Sequence, residues 1–323
     1  MMTLSDSGGD ALPTGPSARL AAVPKNMVRI PPGTFVMGSD DFYAEERPAH
    51  EVTVGGLLMD EHPVTNAEFR RFVKDTGYQT IAEQRPDPAD FPDAEPADLI
   101  PGSLVFRATP GPVPLDDWQR WWQWTPGANW RAPTGPGSNL HGLERHPVVH
   151  VSYEDALAYA EWSGKELADE GEWEHAARAG RPPTTYAWGE QFMPKGKVMA
   201  NTWHGRFPWE NADPHGVERT SPVGRYPPNG WGLVDMIGNV WEWTCSPWSH
   251  DHDQAPDSHV DHACCAPSAM PDGPLHEEDR RVMKGGSHLC APSYCLRYRP
   301  PARQGQQVRS STSHLGFRCV IRE

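Results

Sequence analysis

The chain has 323 residues, with 29 basic and 43 acidic side chains and a formal net charge of −14. That balance, with no Lys/Arg cluster, lacks the basic footprint of a duplex nucleic-acid binder. No uncharged apolar stretch approaches the ~18 residues of a membrane span. Fourteen Trp, nine Phe and eight Tyr are too many for a disordered chain. The 30 glycines and 35 prolines, with proline at about twice its usual share, describe a loop-rich fold. Residues 1–26 have neither the basic n-region nor the apolar h-region of a signal peptide and read as a disordered leader. Residues 27–323 read as one domain, and a cytoplasmic protein is expected.

Met27–Ile30 and residues 34–37 read as short strands on either side of the turn Pro31-Pro32-Gly33. His50–Val54 alternates as another strand, running on towards Leu57, Leu58 and Met59. A helix then opens with Thr65 as N-cap and Glu68 three residues on, a capping box. Phe69, Phe72 and Val73 recur at helical spacing, and Gly77 stops the helix. Residues 85–142 are rich in proline and carry Trp118, Trp121, Trp122, Trp124 and Trp130. Two readings of this stretch stay open: a surface loop clamped by aromatic packing, or the wall of a groove for an extended peptide.

Ser152 and Asp155 form a second capping box, opening an Ala-rich helix that Gly164 ends. A third helix runs from about Asp169 to Ala179, where Gly180 stops it. Short strands and loops follow, so the class is α+β. Residues 248–280 hold His250, His252, His259, His262, His276 and the vicinal pair Cys264-Cys265. All are possible metal ligands, but the spacing matches no structural zinc pattern, and a solvated loop is the reading adopted.

The six cysteines are too few and the chain too long for a secreted disulfide scaffold. Cys290 and Cys295, five residues apart across a proline turn, can converge on one point. Soft thiolates select Cu(I) or Zn(II) over hard cations, and Arg297 and Arg299 nearby would favour their deprotonation. From spacing alone, a short disulfide or two unrelated core thiols fit equally well.

The stretch Gly285-Gly286-Ser287-His288-Leu289-Cys290-Ala291-Pro292-Ser293-Tyr294-Cys295-Leu296-Arg297-Tyr298-Arg299, followed by Gly316-Phe317-Arg318-Cys319, resembles the C-terminal signature of the formylglycine-generating enzymes (sulfatase-modifying factors), bacterial type. Further matching blocks include Ile30 to Gly38, Pro63 to Asn66, His146 to Ser152, Glu172-Trp173-Glu174, Tyr186 to Gly189, Asn229 to Leu233 and Gly238-Asn239-Val240-Trp241-Glu242-Trp243. They run in the family's order over nearly the whole chain. The resemblance implies the family's loop-rich variant of the C-type-lectin-like fold. It also implies a reaction. A cysteine in a C-x-P-x-R motif of an unfolded or nascent sulfatase polypeptide is oxidised to Cα-formylglycine with O2, Cu(I) and a thiol reductant. A hydrogen is taken from the substrate Cβ, and the thioaldehyde formed hydrolyses to the aldehyde.

Under the resemblance, Cys290 and Cys295 are the copper ligands and Ser287 is the serine beside the oxygen and substrate-thiol site. Tyr294 lines the substrate channel, and Arg297 is a substrate-side orienting group. The resemblance also implies calcium. Asp235, Gly238, Val240 and Glu242 match one site, a hard-oxygen set suited to Ca2+. At the other, Asn201 and the Thr202 carbonyl match, but His215 stands where the family has an acid, with Asp213 as the nearby substitute. Cys319 is expected to be a reduced core thiol, because its partner positions are Ala160 and Ala177, and a monomer is implied. Two rivals are weighed. A non-catalytic binding paralogue of the same fold typically lacks the cysteine pair, and an ergothioneine-type sulfoxide synthase needs an N-terminal helical domain for which residues 1–26 leave no room.

Overall fold

The computed structural model describes residues 23–88, 93, 95, 97–253 and 279–323. The strands are β1 (Met27–Ile30), β2 (Gly33–Met37), β3 (His50–Val54), β4 (Leu57–Asp60), β5 (Gly102–Phe106), β6 (Trp122–Pro126), β7 (Glu166–Leu167), β8 (Gly205–Arg206), β9 (Glu210–Asn211), β10 (Trp241–Pro247), β11 (Arg280–Lys284), β12 (Arg303–Gln307), β13 (Leu315–Phe317) and β14 (Cys319–Arg322). The helices are α1 (Asn66–Thr76), α2 (Tyr153–Trp162) and α3 (Glu170–Arg178). Long irregular segments connect them, as the proline and glycine content predicts. The leader reading falls, up to residue 22, outside the described residues, as does most of the His-rich segment.

Both predicted capping boxes form: Thr65 with Glu68 and Ser152 with Asp155. Gly77 ends α1 in the left-handed conformation at φ 72°, where the absence of a Cβ removes the steric cost. At α3 the expectation is refined. Asp169 is the N-cap, in a further capping box with Glu172, and Ala179 takes the left-handed cap at φ 50° ahead of Gly180. The strand expected to run through residues 50–59 is two strands. β3 pairs with β2, whereas β4 lies between β1 and β14. The chain changes sheets at Gly55-Gly56, where no side chain holds the register.

Two four-stranded sheets, β1-β4-β14-β7 and β12-β11-β10-β13, carry the fold. Apart from the parallel β10–β13 pair, their ladders are antiparallel. The two sheets meet at the Gly316-Phe317-Arg318-Cys319 motif, since β13 belongs to one and β14 to the other. Arg318, between them, is buried. It gives Nε and Nη2 to the Glu242 carboxylate at 2.7 and 2.8 Å and bonds the carbonyls of Asp60 and Val234. A charge held by a bidentate partner and by carbonyls is tolerated in a core where an unpaired one is not. Cys319 is a buried free thiol, as expected, while Cys245 on β10 is disulfide-bonded.

The helices bury aromatic and small side chains against these sheets. Phe69 of α1 meets Trp130 edge-on at 5.2 Å and Phe317 of β13 at 6.4 Å. Ala156 and Ala160 of α2 are fully buried, so the helix sits close. Residues 85–142 are therefore neither purely loop nor purely wall. Trp130 belongs to the main core, β5 and β6 form a hairpin, and Trp121 and Trp122 reach the pocket described next.

Candidate active site

After β11 the chain passes through Gly285 and Gly286 at φ 94° and 70°. A Cβ on Gly286 would stand 2.7 Å from the Arg297 carbonyl oxygen, and one on Gly285 2.9 Å from that of Met236. These glycines let the loop close on itself. Within it, Cys290 N–H donates to the Ser287 carbonyl at 3.0 Å and Cys295 N–H to the Ala291 carbonyl at 2.9 Å. The two turns bring Cys290 Sγ to 3.1 Å from Cys295 Sγ, both as free thiols. Of the readings left open by the spacing, convergence is the one realised.

The two sulfurs are not equivalent. Cys290 is pushed well above the ordinary thiol value, first by burial and then by its hydrogen bond to Cys295. Cys295 is lowered to about 7, chiefly because it accepts that hydrogen bond, with the Arg297 guanidinium adding to the effect against the cost of burial. The pair thus favours a thiol on Cys290 donating to a thiolate on Cys295. Ser287 lies beside them, fully buried. Its N–H donates to Cys290 Sγ at 3.4 Å, and its Oγ accepts from Leu289 N–H at 3.2 Å.

The thiols open onto a cavity of about 200 Å³ walled by Trp121, Trp122, Phe207, Trp241, Tyr294 and His314. Tyr294 is 38% exposed, lies parallel to Phe207 at 4.6 Å and meets Trp121 edge-on at 5.3 Å. Arg297 lines the same cavity, ion-paired with Glu45 and stacked 3.9 Å over Tyr43. Arg299, also expected to favour deprotonation of the thiols, is committed to a carboxylate instead. It is buried beneath the loop in a two-bond pair with Glu46 and packs 3.7 Å over Phe42. The segment from Phe42 to Glu46, which also receives Leu296 N–H on the Tyr43 hydroxyl at 3.0 Å, escaped the sequence reading. Its only signal there is the acidic pair Glu45-Glu46.

The residues matched to calcium are arranged unevenly. Glu242 gives both oxygens to Arg318 and also accepts from Trp173 Nε1 at 2.8 Å. As placed it is a counter-ion and does not fit an open calcium ligand. Asp235 accepts from Gly224 N–H at 2.7 Å, and burial raises its carboxyl to about 6. Gly238 N–H donates to the Gly285 carbonyl, and Val240 is core. In the other set, the Asn201 amide donates to the Arg219 carbonyl and Thr202 Oγ1 lies 3.4 Å from His204 Nε2. Asp213 Oδ1 accepts from the N–H groups of His215 and Val217, while Oδ2 is buried with no hydrogen-bond partner, His204 Nε2 standing 3.9 Å away. That orphaned oxygen is the feature that fits a cation. Among the described residues no three His, Cys, Asp or Glu side chains cluster as a metal site, and no helix is long and apolar enough to cross a membrane.

Comparison with known proteins agrees with this architecture. Residues 15–323 match the family described as sulfatase-modifying factor enzyme 1-like domain. The chain is 53% identical over 294 residues to the formylglycine-generating enzyme of Mycobacterium tuberculosis, covering 91% of this chain and 97% of that protein. It is 38% identical to the inactive Cα-formylglycine-generating enzyme 2 of Mus musculus, covering 91% and 85%. Among solved structures, PvdO from Pseudomonas aeruginosa shares the fold at 24% identity, with a TM-score of 0.57 over 92% of this chain and 94% of its own. The chain belongs to the sulfatase-modifying factor family of formylglycine-generating-enzyme-like proteins.

Proposed function

We propose that the protein is a formylglycine-generating oxidoreductase. It oxidises a cysteine within a C-x-P-x-R-type motif of a sulfatase polypeptide to Cα-formylglycine, with O2 as oxidant and a thiol as co-reductant. The observation that carries the reading is the pair of free, buried thiols 3.1 Å apart at the base of an aromatic cavity. The stoichiometry closes. One peptidyl cysteine, one O2 and two reductant thiols give one aldehyde, one hydrogen sulfide, one water and one disulfide.

Two convergent sulfur donors, one already inclined to the thiolate, suit a soft monovalent ion. Cys290 and Cys295 would hold Cu(I), which when bound supplies the redox chemistry with O2 that side chains lack. The chain's own residues do the rest. Arg297 holds negative charge on Cys295, and the proton on Cys290 is the one released when a cation is taken up. Ser287 Oγ accepts from the backbone and so keeps its own proton for the occupant beside Cys290. Tyr294, Phe207 and Trp121 exclude water and flank an extended peptide, so that the reacting cysteine arrives already oriented. The formal charge of −14 favours a client segment carrying arginine. Calcium, in this reading, would be a structural ion held by Asn201, Thr202 and Asp213, whose Oδ2 lacks a hydrogen-bond partner among the described residues.

Mass spectrometry of a Leu-Cys-Thr-Pro-Ser-Arg peptide incubated with the protein, Cu(I), O2 and a thiol tests the proposal. Conversion of cysteine to aldehyde, abolished by Cys290→Ala or Cys295→Ala, is the expected result. No conversion by protein that binds Cu(I) one to one would overturn the proposed substrate class, and neither conversion nor Cu(I) binding would leave a non-catalytic paralogue, as a mouse relative named inactive shows the fold can be.

A further inference from the structure

We propose that His314 positions the client, its Nε2–H donating to a main-chain carbonyl of the polypeptide next to the target cysteine; the inference rests on the reaction proposed above. His314 immediately precedes β13, and its ring lines the thiol cavity. Three contacts fix it. Nδ1 lies 2.6 Å from Thr312 Oγ1, the ring packs 4.7 Å from that of Trp122, and the His314 carbonyl accepts from Trp241 N–H at 2.9 Å.

The tautomer follows from counting hydrogens. Thr312 is buried, and its hydroxyl makes no other hydrogen bond among the described residues. A buried hydroxyl proton without an acceptor is costly, whereas an idle lone pair on the oxygen is tolerated. Thr312 therefore donates and Nδ1 accepts, which puts the ring proton on Nε2. Nε2 bonds no protein group among the described residues. Unlike the indole nitrogens of Trp121 and Trp203, it is not sealed from solvent. Arg297 is engaged by Glu45 and Ser287 lies at the cavity floor, so His314 is a fixed donor on the cavity wall. An extended polypeptide presents a carbonyl at every residue, about 3.3 Å apart, and one of these is the matching acceptor.

The test measures binding of the same hexapeptide with serine in place of cysteine to the copper-free protein, together with kcat and KM for the cysteine peptide with the copper-loaded protein. His314→Ala is expected to weaken binding and raise KM by about 3–10-fold, the worth of one neutral hydrogen bond, with kcat little changed. His314→Gln, whose amide reaches where Nε2 stands, is expected to restore most of the loss. Thr312→Val, which frees the tautomer, is expected to fall between. Unchanged binding by His314→Ala and Thr312→Val overturns the inference. A fall in kcat at unchanged peptide affinity also overturns it, because the ring would then act on the reacting thiol and not on the main chain. If the wild-type protein neither binds nor converts the peptide, the reaction itself is wrong and the inference falls with it.

Discussion

Arg299 and Glu46, 253 residues apart in the chain and both fully buried, close a two-bond ion pair at 2.9 and 2.6 Å beneath the thiol loop. With Arg297 on Glu45, this pair ties the loop carrying Cys290 and Cys295 to the 3-10 turn Ala44–Glu46. Glu46→Ala leaves a buried guanidinium without its counter-charge, which typically costs about 3–5 kcal/mol. Urea unfolding monitored by Trp fluorescence should show a loss of that order, and Glu46→Gln, which keeps an acceptor, a smaller one. A loss below about 1 kcal/mol, the range of an exposed pair, would show that the pair does not hold the loop.

The unequal thiols predict a pH signature in the metal-free protein. Cys295 is lowered to about 7, so its thiolate prevails above that pH and is lost below it. Alkylation of Cys295 by iodoacetamide, followed by peptide mass spectrometry, should rise with a midpoint near 7, while Cys290 stays unreactive through the same window. Cys290→Ala removes the leading cause of the shift and should move the midpoint up towards the ordinary thiol value. Arg297→Gln should move it in the same direction by less. A wild-type midpoint near 9 would contradict the assignment of charge to Cys295.

If calcium binds at Asn201, Thr202 and Asp213, adding it should raise the melting temperature. At a concentration one hundred times the Kd, the stabilisation is about 2.7 kcal/mol. Asp213→Asn should abolish the calcium-dependent shift while changing the calcium-free melting temperature little. Glu242→Gln should behave in the opposite way, destabilising the protein because Arg318 loses its charge partner but leaving the calcium shift intact. Loss of the shift in Glu242→Gln and its retention in Asp213→Asn would place the ion on the set of Asp235, Gly238, Val240 and Glu242 instead.

Much of this was legible in local sequence. The capping boxes at Thr65 and Ser152, the left-handed stop at Gly77 and the apolar spacing of Phe69, Phe72 and Val73 depend on neighbours within one or two turns, so a short window contains the whole cause. The closeness of Cys290 and Cys295 was legible as an option, because both belong to one tight loop opened by Gly285-Gly286. Whether they would bond, diverge or face each other was not, since that depends on what packs around the loop.

Other features had no local signature. Lys284, fully buried, places Nζ 3.0 Å from Glu174 and 3.3 Å from Glu170 on α3, a pairing across more than a hundred residues that no short window of sequence contains. The division of residues 50–59 between two sheets is hidden for the same reason, because alternation shows which face is buried but not which sheet receives it.

By itself, the sequence determined the class, the helix ends, the loop-rich character and the short spacing that lets Cys290 and Cys295 converge, all set by neighbours close in the chain. Only the tertiary structure decided that Glu46 and Arg299 would meet, that Glu242 would be committed to Arg318 and that His314 would line the thiol cavity. Those outcomes require segments up to about 250 residues apart to be desolvated together, and a buried charge is stable only where its partner is already in place.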